Sequence, residues 1–278
     1  MSDWAEELLR SSCERVAEVE RAAGTRFPLY AEGGSWTTTA RGSWAGGFWA
    51  GLLALRSVAT GAGDPVPVRR RLDVWAEADT VCRGLVFWYG SGGERCGAHA
   101  PEPSTADVAR RLAEAYDDRV GAIPWGTALA PEGPPVRPDG AAGVVPLLAA
   151  HGYDEIARRH LDTHLRLGSA GWRRGAAWLL LSCVDGSRRW DGFAERSRAL
   201  AGEWTAPDSD SSATAIAAVA LLKSDHARTR AAGEELVRAA ARGTAEYAGR
   251  TGLRVVWGDF FTALGAALVV GLVGPDHW

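Results

Sequence analysis

The chain has 278 residues, 46% hydrophobic and 23% charged, with a formal net charge of −3 at pH 7. Such a composition supplies one large core or two modest ones, and it argues against nucleic acid or an anionic membrane as the main partner, since both reward clustered Lys and Arg. The departure is 13 Trp against 6 Phe and 5 Tyr, because Trp is the residue that best lines pockets for sugar rings and flat ligands.

The opening MSDWAEELLRSS lacks the basic stretch and apolar run of a signal peptide, and TALGAALVVGLVG near the end is about one helix deep, too short to span a bilayer. The expectation is a cytoplasmic protein. Cys13, Cys82, Cys96 and Cys183 are widely spaced, as reduced thiols of that compartment would be. Lys223 is the only lysine among 31 basic residues, and the Ala- and Gly-rich remainder points to a GC-rich bacterial genome.

Apolar spacing is helical almost throughout. Trp4, Leu8, Leu9, Val16 and Val19 predict a first amphipathic helix after a Ser-Asp start. Ser43 is placed to cap a second, carrying Phe48, Leu52 and Leu55 and stopping at TGAGDP. A third runs through Val68, Leu72, Trp75 and Ala76 towards Cys82, and another through Val108, Leu112 and Tyr116 behind a Ser104–Thr105 cap. Helices follow over 144–150, 156–167, 172–184, 193–200, 213–222, 231–241 and 257–272, with LVFWY (85–89) and RVVW (254–257) the only short strand candidates. About eleven helices joined by short Gly/Pro loops predict one all-α domain over 1–278, since no linker is long enough to divide it. No fixed repeat marks a solenoid, so a closed ring of helical hairpins is expected.

The segment RGSWAGGFWAGLLAL (41–55) sets Trp44, Phe48 and Trp49 among four glycines at the start of an apolar helix. Each interior Gly costs about 1 kcal/mol relative to Ala, so close approach of another helix or of a ligand must be what it serves. Trp36, Trp44, Trp49, Trp88, Trp125, Trp172 and Trp204 all sit near Gly, Pro or polar turn signals, which places them at element ends where pockets open.

Four segments in order resemble the unsaturated glucuronyl hydrolases and their rhamnogalacturonyl relatives: SWAGGFWAGLLAL (43–55), WRRGAAW (172–178), DSDSSATAIAAVALL (208–222) and VVWGDFFTALGAAL (255–268). The resemblance implies an (α/α)6 helical toroid, a six-hairpin barrel slightly incomplete here, whose inner wall carries the Gly-Phe-Trp helix. It implies neither cofactor nor metal. Within VRPDGAAGVVPLL it puts Asp139 at the main acid/base position, with Gly143 replacing an Asn; the alternative for Asp139 is a capping role in a Pro-Asp-Gly turn. A helix N-terminus would hold this carboxylate ionised, and burial among Trp rings would push its pKa up.

The family's second carboxylate falls in CRGLVFWYG, where Arg83 takes the His position and Gly84 the Asp position; Asp79 could substitute only after a shift of a helical turn. A further family Asp is absent from GAIPWG (121–126). A substrate-contacting loop is also shortened, to LRLGSAG (165–171), so a larger ligand or a small protein partner would complete one wall. Arg174 is implied as the clamp for an anionic group, the alternative being a buried pair with Asp210 or Asp259. Asp210 either caps the helix beginning at Ser211 or hydrogen-bonds inside the ring; APDSDSSA lacks the Glu of a calcium loop. His160 and His164 have the i,i+4 spacing of metal ligands without a third, and a surface or interface role is the expectation.

The expected pocket is thus walled by Trp44, Trp49, Trp88, Trp125, Trp172 and Trp178, with Arg174, Asp210 and the acid/base Asp139. Three functions fit: acid/base hydrolysis of a small anionic, sugar-like ligand; a lyase or cyclase of bacterial specialised metabolism that works with one carboxylate; or a non-catalytic binding protein.

Overall fold

The computed structural model describes residues 3–95 and 105–278, so Cys96 and Ser104 lie outside the described residues. Helices of two chemical kinds alternate along it. α1 (Asp3–Ala23), α3 (Val66–Arg70), α5 (Thr105–Glu114), α7 (Asp154–Leu167), α9 (Ala194–Ala201) and α11 (Ala227–Ala240) carry charged faces. Between them come α2 (Gly46–Thr60), α4 (Arg83–Arg95), α6 (Val144–Ala150), α8 (Arg173–Ser187), α10 (Ser211–Leu222) and α12 (Val256–Val269). In this second set the buried runs are unbroken from Gly46 to Leu55, Gly175 to Gly186 and Ser212 to Leu222. A helix that is apolar all round must be enclosed, whereas an amphipathic one can face water. Accordingly α2, α4, α6, α8, α10 and α12 each pack on the next and α12 returns to α2, with the amphipathic helices outside them. This is an (α/α)6 toroid.

Glycine sets the spacing of the inner ring. A Cβ on Gly47 would lie 2.4 Å from the Val86 carbonyl oxygen, so α2 meets the backbone of α4 there. Phe48 then projects inward and stacks on Tyr89 at 4.9 Å and on Trp178 at 6.0 Å, filling the axis of the ring.

Several sequence expectations are corrected in whole or in part. LVFWY lies inside α4 and is helical, and RVVW straddles the end of a strand and the start of α12. A four-stranded antiparallel sheet is present, with β1 (Phe27–Glu32), β2 (Ser35–Thr39), β3 (Ala245–Tyr247) and β4 (Arg250–Val255) in the order β2-β1-β4-β3. Its hairpins turn at Gly33–Gly34 and Ala248–Gly249, where both central residues have positive φ, as two-residue type I′ turns require. The helix expected from Val68 to Ala76 breaks into α3 and a 3₁₀ turn over Asp73–Trp75. Ser43 does not cap α2: it adopts φ 53°, and Ala45 precedes the helix without a side-chain cap.

At the other end of the ring, the lone lysine joins two inner helices. Lys223 Nζ donates to Asp185 Oδ1 and, at 2.6 Å, to the Trp278 main-chain oxygen, and both charged side chains are buried. Burial pushes the Asp185 carboxyl pKa up and the ammonium of Lys223 opposes that. Lys223→Met should therefore lose about 3–5 kcal/mol in urea denaturation by leaving a buried carboxylate without its partner, and Asp185→Leu with Lys223→Met should recover most of it.

Candidate functional site

The inner helices start at a common rim. Trp44 precedes α2, Asp139 stands in a 3₁₀ turn (Pro138–Gly140) before α6, Trp172 precedes α8, Asp210 precedes α10, and Trp257 is in the first turn of α12. These side chains meet: Trp44 lies 4.8 Å from Trp257, and the Arg174 guanidinium stands 5.6 Å over Trp257 and 5.4 Å over Trp172. A Cβ on Gly175 would be 2.5 Å from the Trp172 ring and 3.1 Å from Pro138, so the turn carrying Asp139 abuts the start of α8. Helix N-termini gathered at one rim present partial positive charge, which favours an anion there.

The Asp139 turn is held from below by two buried histidines. His160 Nδ1 accepts from the Ile123 amide at 3.1 Å and Nε2 donates to the Gly140 carbonyl at 3.1 Å. His164 Nδ1 donates to the His160 carbonyl at 2.8 Å, and the two rings are 4.2 Å apart. These tautomers follow from the hydrogen-bond partners. Burial drives the pKa of His160 well below its ordinary value and that of His164 down to about 4, so both are neutral at pH 7. The surface or interface role expected for them is corrected: α7 turns them inward, and their bonds to backbone are those of a structural clamp. Among the described residues no group of three or more His, Cys, Asp or Glu could hold a metal ion.

Asp139 itself has a buried Oδ1 with no hydrogen-bond partner. Burial raises its pKa to about 6, against the opposing pull of its own backbone amide and of Arg137 and Arg174. The neighbouring Cys82 thiol is pushed up to about 12, by burial first and then by the Asp139 charge. Arg137 is fixed by carbonyls, its Nη2 donating to Ala130 at 2.8 Å and Glu132 at 2.5 Å, and it stacks 4.2 Å from the Trp125 ring.

Arg174 Nη1 donates to Asp210 Oδ2 at 2.8 Å, to the Glu246 carbonyl at 2.7 Å and to Ser212 Oγ at 3.4 Å. Its Nε and Nη2 have no partner among the described residues. Asp210 both caps α10, accepting from the Ser212 amide at 3.0 Å, and pairs with Arg174. Trp257 Nε1 is a second buried polar atom without a partner. An orphaned acceptor, an orphaned donor and two guanidinium nitrogens without a partner among the described residues are thus carried by side chains of this rim, the polar complement a small oxygen-rich ligand would satisfy.

The structure gathers Asp139, Arg174, Asp210, Trp44 and Trp172 at the rim, with Trp125 behind Arg137 and Trp178 beneath, stacked on Phe48. Trp88 is buried in the core of α4. Trp49 stands apart, lining a niche with Ser12 and Val16 of α1. Asp79 is committed to Thr127, accepting from its amide at 3.0 Å and its hydroxyl at 2.8 Å. Gly84 packs against α6: a Cβ there would fall 2.5 Å from the Val144 amide nitrogen, and a Cβ on Gly143 would fall 2.4 Å from the Gly84 carbonyl oxygen. Sequence reasoning missed the contribution of Glu246, Tyr247 and Trp257. Its available signal was the alternation of Ala245–Val255 about an Ala-Gly turn.

No family model and no curated protein matches this sequence. The fold, however, is that of solved unsaturated glucuronyl hydrolases. One described as specific for heparin has 15% identity and a TM-score of 0.82, covering 98% of this chain and 98% of that one. One from Bacillus sp. GL1, described as responsible for degradation of glycosaminoglycan, has 19% identity and a TM-score of 0.80 over 95% and 96% of the two chains. One from Streptococcus agalactiae has 15% identity and a TM-score of 0.72 over 94% and 91%. The sequence resemblance holds at the level of the fold. Among the described residues no helix is long and apolar enough to cross a membrane.

The raised Asp139 pKa has a stability consequence. A carboxyl with a native pKa of about 6 and an ordinary unfolded value favours the native state fully below pH 4, and that contribution is lost as pH rises through about 6. Asp139→Asn should remove this slope and melt above the parent protein at pH 7.5, by up to about 3 kcal/mol, while the two converge near pH 4.

Proposed function

We propose that the protein is an enzyme in which Asp139 acts as general acid/base on a small anionic, sugar-like substrate, with the hydrolysis of an unsaturated glycuronide as the reaction. The observation that carries this reading is the Asp139 carboxyl: its buried Oδ1 has no partner and its pKa is about 6, so protonated and ionised forms are both populated near neutral pH. The protonated form would give its proton to one carbon of the ring alkene. The carboxylate left behind would take a proton from the water that adds at the other carbon. The hydrated ring is a hemiketal; its opening to the ketone leaves a hemiacetal at the anomeric carbon, and collapse of that hemiacetal to the aldehyde releases the glycosidic alcohol. Arg174 Nε and Nη2 would receive the substrate carboxylate, Asp210 holding Arg174 in place, and Trp44 and Trp172 would bound the ring. Trp125 and Trp178 would support these from behind and beneath.

One observation favours a second reading. The position that the resemblance gives to the family's other carboxylate is Gly84, and the start of α6 occupies the space its side chain would need. An enzyme with one carboxylate can abstract a proton for elimination or ring closure without hydrating an alkene. The short connection between α7 and α8 leaves Trp172 38% exposed, where a larger substrate or a partner polypeptide would lie.

Loss of alkene absorbance from an unsaturated glucuronyl disaccharide separates the two. Cleavage lowered about 10²–10⁴-fold by Asp139→Asn is expected for the hydrolase. No cleavage by the folded parent protein rejects that reaction in favour of elimination or cyclisation, and cleavage unaffected by Asp139→Asn rejects both. Gly84→Asp should lower the melting temperature and add no activity, because its carboxyl has no space against Val144.

A further inference from the structure

A second polar cavity shares no lining residue with the Asp139–Arg174 rim. It is a cleft of about 290 Å³ between α1, the sheet and α12, bordered by Arg15, Trp36, Arg254, Asp259 and Thr262. The same five residues open into a water-sized niche of about 20 Å³ that adds Ser12 and Trp49.

The charges in this cleft do not balance. Arg254 and Asp259 satisfy each other through two bonds, Nε to Oδ2 at 2.8 Å and Nη2 to Oδ1 at 2.7 Å. Arg15 is half-buried and makes no hydrogen bond or ion pair with any described residue. Its surroundings disfavour the cation, through burial first and then the like charge of Arg254, while Asp259 and the exposed Glu18 oppose them. A guanidinium held out of bulk water beside another cation, with its fork of donors unused, is the complement of a planar or tetrahedral oxyanion. Trp36 supplies a flat apolar face, and Thr262 a hydroxyl, for whatever carries that anion.

We infer that this cleft is a separate ligand site that takes an oxyanion-bearing small molecule, its carboxylate or sulfate on Arg15 and its body against Trp36. The site does not depend on the reaction proposed for Asp139. Arg15 donates to none of the described residues, so replacing it leaves none of their buried groups unpaired and the fold should persist.

Titration calorimetry on the full chain, with sodium glucuronate, inorganic sulfate and uncharged glucose as probes, tests the assignment. Saturable binding of glucuronate or of sulfate is expected, with none for glucose. That binding should survive Arg174→Gln, weaken at least tenfold in Arg15→Gln, and return in part in Arg15→Lys. A response to glucuronate alone assigns a carboxylate ligand, and to sulfate alone a tetrahedral one. The inference is overturned if neither anion binds saturably, if Arg15→Gln binds as the parent does, or if Arg174→Gln abolishes binding and so places the anion at the rim. An unchanged melting temperature for Arg15→Gln keeps loss of binding separate from loss of fold.

Discussion

Backbone-to-backbone contact between inner helices is the constraint on which the rest of this molecule depends. Gly47 brings α2 onto the carbonyls of α4, and Gly84 with Gly143 brings α4 onto the start of α6. Ala at any of these positions would have to push one backbone off another, which a packed ring transmits to its neighbours because interiors have few voids to absorb a shift. The close approach explains why an apolar helix tolerates so many glycines despite their entropic penalty. It also narrows the ring enough for Phe48, Tyr89 and Trp178 to fill its axis, which keeps a ligand out of the middle of the ring. The same contact leaves no space for a side chain at Gly84, where the resemblance would put a second carboxylate.

Electrostatics at the rim follow from that confinement. Helix N-termini and two arginines favour an ionised Asp139, and desolvation favours the neutral acid. Desolvation wins, because Arg137 is spent on loop carbonyls and the Nη1 of Arg174 on Asp210 and Glu246, so neither guanidinium reaches the buried Oδ1. Had either arginine bonded directly to Asp139, its pKa would fall below the ordinary carboxylate value and the group could not hold a proton near neutral pH. The neutral His160–His164 pair matters for the same reason. It orients the Asp139 turn through backbone bonds without adding a third positive charge beneath it.

How much of this was legible in the sequence depended on the range of the interaction. The ring of inner helices was legible because apolar periodicity and the Gly-Phe-Trp, Arg-Gly and Asp-Ser-Ser segments are local signals. The sheet was missed although Gly33–Gly34 is a hairpin dipeptide between FPLYAE and SWTTT, since its other half comes from the far end of the chain at Ala245–Val255. LVFWY has the composition of a strand, and burial on every side lets tertiary context override that propensity. For Trp49, spacing put the ring near Trp44, but five residues on a helix turn the side chain through well over one revolution. That places it against α1, whereas Trp44, outside the helix, stays at the rim. The histidines follow the same logic: an i,i+4 pair marks one face of α7, and only packing reveals that this face is the inner one.

The small sheet is what makes Arg174 a defined donor. Two of its anchors, Asp210 and Ser212, belong to the start of α10, but the third is the carbonyl of Glu246 in β3, which is paired in register with β4 and tied to α10 by the Ser211 amide donating to the Thr244 carbonyl at 2.9 Å. β4 in turn pairs with β1 through Tyr30–Val255 and Ala31–Arg254, and Arg250 donates to Tyr30 and Glu32 of that strand. Without this chain of pairings the guanidinium would keep one carboxylate and one hydroxyl on Nη1 and could rotate about them. With the Glu246 carbonyl added, Nη1 is fully engaged and the guanidinium is held in one orientation, its Nε and Nη2 without a partner among the described residues. The sheet therefore does more than bury Phe27, Ala31, Leu253 and Val255 in the core: it helps to fix the orientation of the Arg174 guanidinium at the rim.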